Sequence, residues 1–283
     1  MIDAHQHFWD PPRNYHPWLC DEPPIAFRYG DYRAIRRPYL PSDYLKDSAG
    51  WEVKGSVYVE TEWDPRHPVD EMRYVSALRE ATGLPSVAVA AAWLHEPRTQ
   101  RLLEDYARFD FVRGIRHKPP PGAMASSAWR QGFAVLAALG LRYDLQAPWA
   151  QLGDAPKLAR DFEATTIIIN HTGLPADRSA EGLAGWAAMM KQLAAHPNIA
   201  IKISGIGQPG LPWTAEANRW IVLTTIETFG IERCMFASNF PVDSLCASFA
   251  DIFNGFKAIV GDFTLNEQGA LFAGNARRLY DIP

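Results

Sequence analysis

From Val53 to the end of the chain, short runs of β-branched and small apolar residues alternate with stretches whose apolar positions recur at helical spacing. Runs of the first kind read as strands and stretches of the second kind as amphipathic helices. Strands are predicted over Val53–Glu60, Ser86–Trp93, Phe111–His117, Leu141–Leu145, Thr166–His171, Ile199–Ser204 and Arg233–Ser238. Helices are predicted between them over Val69–Ala81, Arg98–Phe109, Ala128–Leu139, Ala155–Glu163, Glu181–His196 and Ala215–Phe229, with Leu245–Val260 and Leu265–Leu279 closing the chain. Segments such as VAVAAAW and TTIIIN are nearly continuous apolar runs, as expected of strands covered on both faces by helices and therefore parallel.

One more strand stands at the start. Met-Ile-Asp-Ala-His-Gln-His places His5 and His7 two residues apart, the side-chain period of a strand, so both imidazoles leave the same face of an extended segment. Asp10-Pro11-Pro12 then ends it. Eight strand–helix units in 283 residues have the size and count of a (β/α)8 TIM barrel, one α/β domain over 1–283. A doubly wound open sheet is the alternative, but no Gly-x-Gly-x-x-Gly follows a strand to support it. The long, proline- and aromatic-rich loop from Phe8 to Trp51 after the first strand reads as a lid, interrupted by a short helix capped by Ser42.

In such a barrel the chemistry gathers at the C-terminal ends of the strands. Seven of the eight predicted strands end in groups able to act there: His5 and His7, Glu60, Arg116 with His117, Asp144 with Gln146, His171, Lys202 with Ser204, and Asn239. Capping explains one such residue easily and seven poorly. His16, His67 and His196 sit in proline-flanked loops or at a helix end and read as structural, as does His95 near the rim.

Composition narrows the partners. A formal charge of −4 without a basic stripe excludes the usual nucleic-acid binder, and no window is long and apolar enough to span a membrane. Three dispersed cysteines, Cys20, Cys234 and Cys246, form no CxxC, which fits a reducing compartment; a cytoplasmic enzyme with a small-molecule substrate is expected. The oligomeric state stays open, a homo-oligomer included.

IDAHQHFWDP at the start, GIRH, NHTG, KISG, SNFP and the closing LFAGNARRLY together resemble the amidohydrolase superfamily. More narrowly they resemble its amidohydrolase 2 branch of sugar-lactone and pyrone-dicarboxylate lactonases. The resemblance implies a (β/α)8 hydrolase that opens a small sugar-derived or carboxylated lactone by water attack. Within it, His5, His7 and His171 correspond to a polarising centre that holds a divalent metal, zinc above others, or works without one. A zinc ion in such a site lowers the pKa of bound water to about 7.

Asn239 departs from the pattern, because relatives carry an aspartate there and an amide is no base near neutral pH. Asp243, Asp144 and Glu60, in that order, are the expected substitutes for the base. Arg113, Arg116 and His117 are expected to hold substrate, with Arg113 and His117 on one face of their strand, Arg116 on the other, and His117 inward because it matches the family motif. Glu60, Asp144, Gln146 and Ser204 complete the expected substrate-binding set. A non-oxidative decarboxylase or hydratase, and a barrel that binds without turnover, are the alternatives.

Overall fold

The computed structural model describes residues 1–283. Eight strands, β1 (Ile2–Gln6), β2 (Gly55–Val59), β3 (Val87–Ala91), β4 (Val112–His117), β5 (Arg142–Leu145), β6 (Ile167–Ile169), β7 (Ile199–Ile203) and β8 (Cys234–Phe236), pair in parallel in chain order. The circle is joined at its mouth, where His7 N donates to Phe240 O and Asn239 N donates to His5 O, both at 2.8 Å. Helices α1 (Pro17–Cys20) and α2 (Pro41–Asp47) lie within the β1 loop. Six helices follow successive strands: α3 (Pro68–Thr82), α4 (Thr99–Tyr106), α5 (Ser127–Ala138), α6 (Ala155–Asp161), α7 (Ala180–Ala194) and α8 (Ala215–Phe229). After β8 come α9 (Phe249–Ile259), α10 (Leu265–Gly269) and α11 (Asn275–Leu279), the last two joined by a π-helical turn.

This is the expected (β/α)8 barrel; the differences are the short helix α1 in the loop, the π-helical turn that divides the expected closing helix Leu265–Leu279, and shifts at element ends. Helix α2 is not capped by Ser42, which lies inside it; Leu40 N is held instead by the Asp43 carboxylate at 3.0 Å. Helix α9 starts four residues later than expected because Ser248 and Asp251 form a reciprocal capping box there. Strand β6 stops at Ile169 rather than His171, since the chain turns into the left-handed region at His171 and Thr172.

The strands bury two apolar surfaces. Toward the helices they face a continuous core that includes Trp129, Phe133 and Trp186. Toward the axis, Ile2, Ala4, Val57, Val59, Val87, Val89 and Ile168 pack on one another and on Tyr280 and Ile282, which return from the C-terminus to plug one end. One ion pair lies wholly inside this packing. Asp144 and Lys202 are both fully buried, and Asp144 Oδ2 accepts from Lys202 Nζ at 2.7 Å and from Asn170 Nδ2 at 2.9 Å. The Tyr280 hydroxyl donates to the same carboxylate at 2.8 Å.

That arrangement corrects the expectation that Asp144 binds substrate or serves as base: its oxygens are spent on holding Lys202 in the barrel. Breaking a buried pair from one side leaves an uncompensated charge, which typically costs about 3–5 kcal/mol. Asp144→Asn should therefore lower unfolding free energy in urea by about that amount, and adding Lys202→Met should restore at least half of the loss. A stability of the single variant equal to that of the parent would show that the pair does not hold this interior together.

Candidate active site

Above the plug, the imidazoles of β1 and β6 meet. The His5 ring lies 4.9 Å from that of His7 and 4.6 Å from that of His171, centroid to centroid. Strand β1 achieves this with a shift of register against β2 between Asp3 and Gln6, so that Ala4 and His5 both reach the interior. His171 reaches it from a backbone at φ 54°, ψ 40°. Asn239 completes the cluster from φ 56° just beyond β8. Glu62, Thr172 and Leu174 share this uncommon conformation, so five of the six non-glycine residues with positive φ stand at one end of the barrel. Each such residue costs on the order of 1–3 kcal/mol and persists only where its surroundings fix it.

The hydrogen bonds set the protonation of the cluster. His7 Nδ1 lies 2.7 Å from Val59 O, a pure acceptor, so Nδ1 carries the proton, while Nε2 stands 3.3 Å from Asn239 Oδ1. His171 Nδ1 pairs with Ser204 Oγ at 2.9 Å. Both nitrogens of His5 are buried without a partner. All three are kept neutral. Burial pushes His7 down to about 3, with the charge of Arg116 adding to it. His5 and His171 lie well below the ordinary imidazole value, first through burial and then through Lys202 for His5 and Arg28 for His171.

The cations around these imidazoles are themselves anchored. Arg116 donates through Nε to Glu60 Oε1, through one terminal nitrogen to Glu60 O, and through the other to Gln146 Oε1 at 2.9 Å. Glu60 is accordingly held below the usual carboxyl value, the Arg116 charge opposing the effect of its burial. Arg28, from the β1 loop, reaches Asp243 at 3.4 Å and Gly205 O at 3.4 Å. Gly205, at φ 61°, makes room for this: a Cβ there would stand 2.7 Å from the His171 ring and 3.0 Å from the Arg28 guanidinium. Asp243 Oδ1 accepts from Asn239 Nδ2 at 2.6 Å and Tyr29 OH at 3.0 Å, while Oδ2 accepts from Gly205 N at 3.1 Å.

The cleft over the cluster is a cavity of about 370 Å3, walled by His7, His171, Asn239, Arg116, Gln146 and, from the loop, by Trp9, Trp18, Phe27 and Arg28. The loop is thus a cover. It is fastened at Thr61, whose carbonyl accepts from Trp18 Nε1 at 2.8 Å, and Thr61 is in turn held by Glu71 Oε1 through its N–H at 2.7 Å and its hydroxyl at 3.0 Å.

Several expected residues are placed otherwise. Arg113 sits near the start of β4, with its guanidinium on Asp110 O, remote from the cleft, so its expected substrate role is corrected. His117 is not the inward residue of β4. Its Nδ1 accepts from Trp129 Nε1 at 3.2 Å on the helix side, and Arg116 takes the axial position. Gln146 and Ser204 serve Arg116 and His171 respectively. Asp243 and Glu60 have their oxygens committed, which removes both as free bases. Arg28, Tyr29 and Lys118 were not foreseen: the first two belong to an irregular loop without periodicity, and nothing in their spacing singles them out.

No three His, Cys, Asp or Glu side chains are disposed to hold one ion. The β8 position offers an amide, and the nearby carboxylates are engaged, Asp243 with Arg28, Glu60 with Arg116 and Asp144 with Lys202. The residues as placed do not fit a divalent ion.

Parallel strands in a ring, alternating with helices and with polar groups gathered at one end, define a (β/α)8 barrel. The chain belongs to the amidohydrolase family, whose pattern it matches over residues 2–282, within the amidohydrolase 2 branch. It is a hydrolase of that family. It is 39% identical to protein y4mH of Sinorhizobium fredii, over 100% of this chain and 98% of that one. It is 27% identical to an L-fucono-1,5-lactonase of Burkholderia multivorans, over 100% of this chain and 96% of that one. Among solved structures, a Burkholderia multivorans amidohydrolase with bound zinc superposes with a TM-score of 0.85 at 24% identity, covering 100% of this chain and 99% of that one. No helix is long and apolar enough to cross a membrane.

Glu71 gives a test of the cover's fastening. Burial, and then the Glu60 charge, push its carboxyl up to about 8. Between an ordinary carboxyl value and about 8 the folded state keeps a proton that the unfolded chain has lost, so this group takes stability away as pH rises through that window. The urea midpoint of Glu71→Gln should gain on that of the parent steadily from pH 5 to pH 8. A constant difference between the two proteins across that range would show that Glu71 is ionised throughout.

Proposed function

We propose that this protein hydrolyses a small, uncharged, sugar-derived lactone without a metal ion. The observation that carries the reading is the set of neutral imidazoles beside an anchored Arg116 at the mouth of an amidohydrolase barrel. A lactone is an activated ester, so water can attack its carbonyl once a base takes the proton and donors receive the oxyanion. His171 is the base: it lines the cleft, and its Nδ1 is positioned by Ser204. Arg116 lines the cleft and keeps N–H groups beyond those given to Glu60 and Gln146, and these are its donors for the developing oxyanion. A well-placed donor of this kind is worth about 3 kcal/mol in the transition state. Water forms the new C–O bond, the ring C–O bond breaks, and the proton taken by His171 goes to the departing ring oxygen.

Charge balance supports a neutral substrate over a carboxylated one. Arg116 is paired with Glu60, Lys118 with Glu62 and Arg28 with Asp243, so no cation of the cleft is left for a substrate carboxylate. The lactonase name of the Burkholderia multivorans relative agrees with this substrate class. Asp243 is a positioning residue, orienting Asn239 and Arg28.

A stereochemically complete panel of aldonolactones, read by acid release, tests the reaction; ring opening of one or more is expected, and carbon dioxide release from aromatic acids with no lactone opened would replace the proposal with a decarboxylase. His171→Asn should lower kcat at least about a hundredfold, whereas Asp243→Asn should cost about tenfold. The reverse order would return the base to Asp243. Exhaustive chelation should leave turnover within twofold. Loss of activity that zinc or manganese restores would assign a metal to the site after all.

A further inference from the structure

The cleft does not end at the imidazoles. A second cavity of about 440 Å3 adjoins the first and shares Trp18, Ile25, Glu60, Glu62, Arg116 and Lys118 with it. Ligand pockets start at roughly 300 Å3, so this lobe has the capacity of a site in its own right. Its character is different. Whereas the first lobe holds the reacting groups, the second is walled by Trp18, Trp63 and Trp93 together with Pro17, Pro23 and Pro65.

Beside the shared Arg116 and Glu60, a polar group belonging to the second lobe alone is also fixed. His117 Nδ1 accepts from Trp129 Nε1 at 3.2 Å and faces Leu94 N at 3.5 Å, so the single ring proton of this neutral imidazole is on Nε2. His117 is kept neutral, at about 4, by burial and then by the neighbouring His95. No protein acceptor meets Nε2, and the residue lines the lobe. Three indoles and one oriented donor suit a ring with an apolar face and an oxygen at its edge.

Resting on the hydrolytic reading above, we infer that the substrate is a two-ring molecule: a lactone in the imidazole lobe carrying a second, uncharged ring, a pyranose, that stacks among Trp18, Trp63 and Trp93 with an oxygen on His117 Nε2–H. The shared Arg116 marks the passage between the lobes. The second ring takes no part in bond breaking; its binding holds the lactone carbonyl at the catalytic groups, which raises kcat/KM for the extended substrate.

The experiment compares each aldonolactone with the same lactone bearing a β-linked pyranose or, separately, a phenyl ring, and measures binding of the corresponding open-chain acids by calorimetry. The pyranosyl lactone should exceed its one-ring counterpart at least tenfold in kcat/KM, and its acid should bind at least tenfold more tightly. In Trp93→Ala that preference should fall at least tenfold, and Trp93→Phe should recover most of it, with melting temperatures confirming that both variants fold. If one-ring lactones turn over and the second ring brings no gain in rate or binding, the inference is overturned while the hydrolytic reading stands. If no lactone turns over but the two-ring acid keeps its advantage and loses it in Trp93→Ala, the hydrolytic reading falls and the two-lobed site stands. Greater gain from phenyl than from pyranose overturns the assignment of a sugar.

Discussion

Arg116 carries a permanent charge with only 5% of its surface exposed, at the point where the two lobes of the cleft meet. A buried guanidinium survives only if it is paired and its donors are used, and Glu60 supplies both: a carboxylate for Nε and a carbonyl for a terminal nitrogen. Because Glu60 follows β2, Arg116 lies on β4 and Gln146 follows β5, this single side chain ties three parts of the rim together. The remaining features of the site follow from where it puts its charge. Its charge adds to the larger effect of burial in keeping His5, His7 and His171 unprotonated.

The second consequence concerns how neutral histidines can do chemistry. An imidazole depressed by burial is a weaker base than one in water, but it is wholly in the basic form at neutral pH. In the proposed reaction the adjacent guanidinium would offset what it lacks in proton affinity, since the anion formed by water attack would develop beside a fixed cation in a place of low dielectric. On that proposal the same fixed cation would stabilise the transition state more than the neutral ground state, which is the condition for raising kcat rather than binding alone. Asp243 contributes at one remove, by drawing Arg28 and Asn239 into place.

How much of this was legible in the sequence depended on whether a feature had a period. The eight strands and their order were readable because buried parallel strands are apolar throughout, and the meeting of His5 with His7 because the strand period is two. Strand β4 shows where this fails. In Val-Arg-Gly-Ile-Arg-His a shift of register against β3 between Val112 and Gly114 breaks the alternation, so parity counted from Arg113 does not say that Arg116 faces the axis. His171 was foreseen as a site residue but placed in a strand, because a left-handed turn at a histidine has no pattern to announce it. Arg28 was invisible for a related reason: its position is set by contacts with Asp243 and Gly205, more than 170 residues away in sequence.

The clustering of unusual backbone at this end of the barrel connects these observations. His171, Thr172, Leu174 and Asn239 lie just past β6 and β8, and Glu62 just past β2. Had the strands run straight on, alternation would have fixed each side chain by parity alone, with no freedom to bring imidazoles from β1 and β6 within 5 Å of each other. Leaving the strand early, at a cost in conformational energy, frees the side chain from that parity. The dense hydrogen bonding around Asp3, Asp243 and Glu60 is what makes the cost bearable. Asp3, for instance, accepts from Ser238 N at 2.9 Å and from its hydroxyl at 2.6 Å, immediately before the strained Asn239. The carboxylates at the mouth thus act on the backbone and on the arginines, which is why the sequence holds so many of them near the site and none of them free to serve as the base.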